Sequence, residues 1–484
     1  MNAKRTKNIF LWFLLSVVFP LKAQEQPPNL VFIMADQWRA DAVGYMGKEP
    51  VLTPNLDKLS TEGITFTDAV SNTPVCSPAR ASLMTGMYPH ANGVTTNCNS
   101  ASAPYGVELS PDAVTWSDIL AENGYDLAYL GKWHLDSPHR PFVDTYNNRG
   151  KVAWNEWTPP ERRHGFRHWI AYGTYDYHLK PMYWNTDGGR DDFYYVDVWS
   201  PEYEADKAIE YIENKGGTLR PAEKPFALVV SMNPPHTGYD LVPDTYKEIY
   251  KNLDTENLAA QFPNIPRKGT EMGDYFRQNI ADYYACITGV DEHIGRIMRQ
   301  LEAQGLAENT IVVFTSDHGI QMGAQELAGK DIYFDESMRI PLIIKYPAKL
   351  KPRQTDLQMS FSDFYGTLLS LMDLGDKIPT EVQSFDLSEM LVNPKKERPV
   401  TQPYYYVNLD NHRNGYRGLR DGRFTFAVHA KDGKIDEIIL HDRQNDPFQL
   451  ENIALKYPNK IKRYTKNLKK LLATTNDPFL ENKF

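Results

Sequence analysis

Cysteine is scarce in this chain: Cys76, Cys98 and Cys286 are the only three among 484 residues. A dense disulfide framework is therefore excluded, and stability must come from a large buried core. Long apolar runs are scarce as well. The one extended stretch, residues 9–21, is too short, and Pro20 too disruptive, for a transmembrane anchor. Positive charge is not in excess either, with 53 Lys and Arg against 62 Asp and Glu and a formal charge of −9. That balance argues against nucleic acid as a partner. An anionic substrate would have to be met by locally placed cations. Internal repeats, low-complexity tracts and coiled-coil heptads are also lacking.

The first residues read as a secretory signal. Lys4, Arg5 and Lys7 precede the apolar stretch, and Ala23 stands before the polar Gln24-Glu25-Gln26. Cleavage near Ala23 would export the chain to the periplasm or beyond, and no cysteine follows until Cys76 to carry a lipid anchor. With the leader go four cations, leaving the mature chain near −13 from the −9 of the whole. The length allows roughly two to four domains. We expect a signal peptide over 1–23, a catalytic domain over 24–390 and a C-terminal subdomain over 391–484.

Several apolar runs share one grammar. Residues 29–35 (NLVFIMA) end at Asp36-Gln37, and 127–130 lead to Lys132 and His134. Residues 226–232 (FALVVSM) lead to His236, and 311–315 end at Asp317-His318. Short β-branched runs separated by helical stretches predict buried strands of a largely parallel sheet. The polar residues past their ends would then share the edge where open α/β sheets bind ligands. Helices are predicted over 115–123, 203–215, 274–304 and 361–374, with Gly124, Gly305 and Gly375 as stop signals. Cys286 lies within the third and reads as a buried thiol, while spacing leaves open whether it pairs with Cys98. After a polar, proline-containing boundary over 379–398, residues 404–407, 423–429 and 435–440 predict antiparallel strands. A basic helix over 459–472 follows, and its lysines read as a solvated face.

The most informative segment is Thr-Pro-Val-Cys-Ser-Pro-Ala-Arg-Ala-Ser-Leu-Met-Thr-Gly, residues 73–86, with a Cys-x-Pro-x-Arg core at Cys76, Pro78 and Arg80. Pro78 suits the first turn of a helix, where a missing N–H costs least. Cys76 would then sit at an N-terminus that favours an anion. This segment resembles the signature of the formylglycine-dependent sulfatases. The resemblance covers nearly the whole mature chain. It implies an alkaline-phosphatase-like α/β fold: a mostly parallel central sheet flanked by helices, with a smaller C-terminal α+β subdomain carrying an antiparallel sheet.

It also implies chemistry. Cys76 would be oxidised to formylglycine by a formylglycine-generating or anaerobic sulfatase-maturing enzyme, and the hydrated aldehyde would be the nucleophile. A gem-diol keeps a second hydroxyl whose deprotonation expels sulfate by carbon–oxygen cleavage. Asp36 and Gln37 match the family's first metal pair, usually two aspartates, and Asp317 and His318 match the second, where asparagine is common. With residue 76 they would hold one divalent ion. The oxygen-rich set points to Ca2+, with Mg2+ next, while the neutral ligands and the imidazole keep Mn2+ in play. Arg80 matches the arginine that orients the hydrate. In Gly-Lys-Trp-His, Lys132 and His134 match residues beside sulfate and nucleophile, with His134 as base; His236 of Pro-Pro-His and Lys330 of Gly-Lys match the remaining sulfate contacts, with His236 as general acid.

Residues 136–200 carry five of the nine tryptophans (Trp154, Trp157, Trp169, Trp184, Trp199) and His164, His168 and His178. Such an aromatic insertion can stack on sugar rings, although at least half of its rings are expected to pack the insertion itself. Export, resemblance and insertion together predict a sulfated carbohydrate substrate, a glycosaminoglycan or another glycan. The alternatives are a phosphonate or phosphate monoester hydrolase or arylsulfatase of the same superfamily and, more remotely, an inactive glycan-binding homologue.

Overall fold

The computed structural model describes residues 26–398 and 400–484, so the leader expected over 1–23 lies outside the described residues. In chain order the strands are β1 (Asn29–Ala35), β2 (Ile64–Phe66), β3 (Asp126–Lys132), β4 (His168–Tyr172), the short β5 (Met182–Tyr183) and β6 (Tyr194–Tyr195), β7 (Phe226–Ser231), β8 (Thr310–Ser316), β9 (Leu342–Lys345) and β10 (Arg353–Thr355). The C-terminal region adds β11 (Gln402–Val407), β12 (Gly415–Arg420), β13 (Phe424–Lys431) and β14 (Lys434–Asp442).

An eight-stranded sheet in the order β10-β2-β9-β8-β1-β7-β3-β4 forms the centre. The four strands with polar ends, β8, β1, β7 and β3, are contiguous and parallel. Every residue of β1, β3 and β8 is buried, as expected of strands covered on both faces. One face packs against the helices Ser200–Glu213 and Glu271–Ala303, around Val31, Ile33, Ile287 and Val312. The other packs against Cys76–Thr85 and Phe364–Leu371, where Phe32 meets Phe364 edge-on at 5.2 Å. Helix Glu271–Ala303 buries Ile280, Ile287, Val290, Ile294 and Ile297 along its inner stripe, and the Thr270 side chain caps it by accepting from the Gly273 N–H.

Two local expectations change. The stretch 361–374 is a short 3-10 turn, Phe361–Asp363, running into the helix Phe364–Leu371, because Ser360 and Asp363 form a capping box at its entry. The chain leaves that helix through Asp373 in the left-handed region (φ 61°), and Gly375 instead opens a separate turn. The three cysteines are free and buried. Cys98 and Cys286 belong to cores on opposite faces of the sheet, so they do not pair.

Beyond residue 400, β11 to β14 form an antiparallel sheet against the helix Pro458–Thr474, which buries Tyr464, Leu468 and Leu472 and turns Lys462, Lys466, Lys469 and Lys470 to solvent, while Lys460 lies over the Phe424 ring. Strand β12 escapes the sequence pattern because two of its buried residues, one on each face of the sheet, are arginines. Arg417 is buried against Asp477 at 2.6 Å, while Arg420 reaches back to Asp68 and Asp335 at 2.7 and 3.0 Å. Buried and paired on this scale, they satisfy the desolvation rule that an isolated charge would break.

Candidate active site and metal centre

Chain-distant motifs meet because their strands are neighbours. Asp36 and Gln37 leave β1, Asp317 and His318 leave β8, Lys132 ends β3 with His134 two residues on, and His236 lies five residues beyond β7. Gly131 is required by this packing. A Cβ there would lie 2.2 Å from the Ser231 carbonyl oxygen, and its φ of 96° is left-handed. Cys76 opens the helix Cys76–Thr85 from an extended Val75 cap, with Pro78 in the first turn as predicted. Gln37 (φ 65°) and His134 (φ 56°) hold left-handed backbone, a strain of about 1–3 kcal/mol each that clusters at functional sites.

Asp36, Cys76, Asp317 and His318 bring their ligand atoms within 4.8 Å of one another, all buried. Three further observations test this group as a cation site. The Gln37 Oε1 is buried without a hydrogen-bond partner. His318 Nδ1 lies 2.8 Å from the Gly319 carbonyl, so Nδ1 carries the proton and the Nε2 lone pair is turned inward, 3.7 and 3.6 Å from carboxylate oxygens of Asp36 and Asp317. A lone pair aimed at two carboxylates in a dry site is a mismatch that a hard divalent cation removes. The donor set therefore fits such an ion.

The anionic cluster is ringed by cations. Arg80 bonds Asp317 through Nε (3.0 Å), Asp36 through one terminal nitrogen (3.1 Å), and the Lys132 carbonyl and Ser231 hydroxyl through the other (2.6 and 2.8 Å). Its guanidinium thus braces the two carboxylates. Lys132 Nζ lies 2.7 Å from Asp36 and 3.0 Å from the Asn233 side-chain oxygen. Around the Cys76 sulfur stand His318 Nε2 at 3.3 Å, Lys330 Nζ at 3.4 Å and Lys132 Nζ at 3.8 Å. Burial and the Asp36 charge push the thiol up, yet the Lys132 and Lys330 charges act against them and the thiol is held well below its ordinary range. Burial likewise opposes ionisation of Asp36, but the charges of Lys132, His236 and Lys330 act against it and the carboxyl stays well below the usual carboxylate range. Position 76 is consequently built to favour negative charge.

The two histidines differ in a way that separates their chemistry. His134 Nε2 lies 3.1 Å from the Cys98 carbonyl, which fixes the proton there and leaves Nδ1 as a buried, unpartnered lone pair. Burial holds its pKa below the ordinary imidazole value, so the ring is neutral and able to accept a proton. His236 is the reverse. Burial lowers its pKa, but the carboxylate of Asp176, with an oxygen 3.1 Å from Nδ1, more than restores it. Its Nε2 faces Lys330 Nζ at 3.4 Å. The Lys330 ammonium opposes positive charge on the ring, and the Asp176 carboxylate favours it, with the balance above the ordinary imidazole value.

Every site residue expected from the sequence is thus in this one cluster: Asp36, Gln37, Cys76, Arg80, Lys132, His134, His236, Asp317, His318 and Lys330. Two members escaped notice. Asn233 orients both Lys132 and, through its amide at 2.9 Å, Asp176; it is the first polar residue past β7, so the strand-end grammar contains it. Asp176 sits among tyrosines with no motif to mark it. In the insertion Trp169, Trp184 and Trp199 are buried and Trp154 and Trp157 half-buried, so most of these rings serve packing. His164 pairs with Asp118 at 3.0 Å, and His178 lies beneath the His236 loop, facing the His236 and Thr237 carbonyls.

A three-layered α/β fold whose sheet edge gathers carboxylates, an activated residue at a helix start, the buried Lys132 and the half-buried Lys330 defines a hydrolase of oxyanion esters with the alkaline-phosphatase-like architecture. Comparison narrows this class. The model of the family described as Sulfatase matches residues 28–374, and that described as N-sulphoglucosamine sulphohydrolase, C-terminal, matches 323–477. The chain is 35% identical to an endo-4-O-sulfatase of Bacteroides thetaiotaomicron, covering 95% of this chain and 94% of that one. It is 34% identical to an ulvan-active sulfatase of Formosa agariphila, covering 95% and 84%. A crystal structure of a yidJ sulfatase-type protein from Bacteroides fragilis superposes with a TM-score of 0.92 at 63% identity, covering 96% of this chain and all (100%) of the other. The chain belongs to the sulfatase family and is a sulfuric ester hydrolase.

Proposed function

We propose that this protein is an exported sulfatase that removes sulfate monoesters from a carbohydrate, with residue 76 matured to formylglycine and one divalent cation, Ca2+, held by Asp36, Gln37, Asp317, His318 and residue 76. The observation that carries this reading is the convergence of Lys330 and Lys132 on residue 76, at 3.4 and 3.8 Å from its sulfur, beside the buried ligand group of Asp36, Asp317 and His318. When bound, the cation supplies Lewis acidity that offsets the carboxylate charge and lowers the pKa of an oxygen nucleophile; the hydrated aldehyde supplies that nucleophile and a second hydroxyl. Oxygen donors favour calcium, with magnesium next, and the imidazole is the reason manganese stays in the test.

The protein's own groups account for the rest. Lys132 and Lys330 bind the sulfate oxygens and neutralise charge as the ester bond breaks. Arg80 keeps Asp36 and Asp317 at fixed spacing. His236 gives its Nε2 proton to the departing sugar oxygen, and Asp176 holds the ring by Nδ1. His134 takes a proton on Nδ1 when residue 76 is to be restored, with Nε2 anchored to the Cys98 carbonyl.

Carbohydrate is supported by the likeness to an endo-4-O-sulfatase and an ulvan-active sulfatase. Export is supported by residues 1–23, and among the described residues no helix is long and apolar enough to cross a membrane. Maturation requires an enzyme that oxidises Cys76. The chain divides, in this reading, into a leader over 1–23, a catalytic region over 24–390 and a subdomain over 391–484. Sulfate release from a panel of sulfated mono- and oligosaccharides, run beside aryl sulfate and aryl phosphate esters, tests the proposal. Sulfate release from sugars at rates far above phosphate release is expected; preference for phosphate would overturn it.

A further inference from the structure

Tyr146, Tyr177 and Tyr195 are 66%, 43% and 42% exposed, although the aromatic insertion that carries them already has a complete small core of Tyr172, Tyr175, Met182, Tyr183 and Trp184. Their rings form a continuous group. Tyr146 lies 6.5 Å from both Tyr175 and Tyr177, and Tyr175 lies 6.2 Å from Tyr195. The backbones beneath them are pinned. The Asn147 amide donates to the Thr174 carbonyl, and Asn148 donates to the carbonyls of Val143 and Asn155 while accepting from the N–H groups of Trp154 and Asn155. Tyr195 sits on β6, paired with Met182 of β5. Rigid, exposed rings with only two side-chain torsions each present contact area at little cost in entropy.

This group adjoins the catalytic centre. Asn233 donates to the Tyr175 carbonyl at 3.0 Å and to Asp176 at 2.9 Å, and Asp176, between Tyr175 and Tyr177 in the chain, holds His236 at 3.1 Å. At its edges stand two exposed cations, Arg149, whose backbone N–H meets the Tyr146 carbonyl at 3.4 Å, and Lys180, whose backbone N–H meets the Tyr177 carbonyl at 3.2 Å. Their partners Asp144 and Asp197, each at 2.9 Å, are exposed too, and such solvated pairs are readily exchanged for another anion.

We propose that Tyr146, Tyr177 and Tyr195 are a stacking platform for the sugar rings that flank the sulfated residue of an anionic glycan, so that the enzyme acts on sulfate within a chain rather than only at its end. The proposal rests on the carbohydrate reading above. Ring faces take the apolar faces of sugars, phenol hydroxyls and the two cations take hydroxyl and acidic groups, and contiguity with Asp176 sets the occupant as a continuation of the substrate itself.

The test compares the matured wild type with the Tyr146→Ala/Tyr177→Ala/Tyr195→Ala variant and its Tyr→Phe counterpart. Binding of size-fractionated chondroitin sulfate and heparan sulfate hexasaccharides is measured by calorimetry, and kcat/KM is measured on the bound hexasaccharide and on an aryl sulfate. The alanine variant is expected to lose at least tenfold in hexasaccharide affinity and kcat/KM, with aryl sulfate turnover and Tm within twofold and a few degrees of wild type. The phenylalanine variant is expected to keep most of the affinity. Hexasaccharide affinity unchanged by the alanine variant, or no hexasaccharide binding by wild type, overturns the platform. Platform-dependent binding in a protein that releases no sulfate from any sugar would uphold the platform and overturn the assigned reaction instead.

Discussion

Asp176→Asn removes one charge from the site and leaves its shape. The asparagine oxygen can still accept from Asn233 and from His236 Nδ1, now at 2.9 and 3.1 Å from the carboxylate oxygen. What disappears is the attraction that keeps His236 protonated. Two unit charges about 4 Å apart interact by about 4 kcal/mol at an effective dielectric of about 20. Asp176 keeps 40% of its side chain in solvent, which screens that figure heavily. Lys132 and Lys330 already oppose the His236 charge, Asp36 favours it, and all three remain in the variant. The screened attraction lost is about 1.4 kcal/mol, a factor of about ten in an equilibrium, and the His236 pKa falls accordingly. Because a general acid works only while protonated, the alkaline limb of kcat/KM against pH should move to lower pH. Sugar sulfate turnover should fall about tenfold on that limb and converge on wild type at lower pH. An activated aryl sulfate, whose phenolate leaves unaided, should keep its rate. The assay is the pH profile of kcat/KM for both substrates in both proteins. An unmoved limb with an equal loss on both substrates would refute the acid role of His236 and leave Asp176 as a structural residue.

His236→Ala should cost the sugar sulfate about 10²–10⁴ in kcat/KM and the aryl sulfate much less, the pair being read in one buffer at fixed pH. Chelation should abolish turnover, with calcium restoring it best, and elemental analysis should show Asp317→Ala retaining less metal than Gln37→Ala, since a carboxylate binds a hard cation more strongly than an amide does; full activity after verified metal removal contradicts the donor assignment. Cys76→Ala should fold with an unchanged Tm and lose turnover, as judged by circular dichroism and sulfate release.

The sequence carried the site further than the fold that holds it. Strands β1, β3, β7 and β8 are readable because they are buried on both faces and so appear as unbroken apolar runs, each ending in a charged or polar residue at the shared edge. Short β2, β9 and β10, of three or four residues, lack the length for periodicity to speak. Strand β12 is hidden by Arg417 and Arg420, whose partners Asp477, Asp68 and Asp335 are distant in sequence. The same reason hides Asp176: its importance comes from a 3.1 Å contact with a histidine 60 residues away, and nothing local marks it. Proton positions on His134 and His318 depend on the Cys98 and Gly319 carbonyls, which only a folded backbone can supply.

The central claim is that residue 76, once oxidised, performs the reaction. Peptide mass spectrometry across preparations matured to different extents, each assayed for sulfate release, tests it most directly. Turnover should rise in proportion to the fraction of residue 76 present as formylglycine and extrapolate to zero at none. Full turnover from protein whose residue 76 is entirely unmodified thiol would contradict the account.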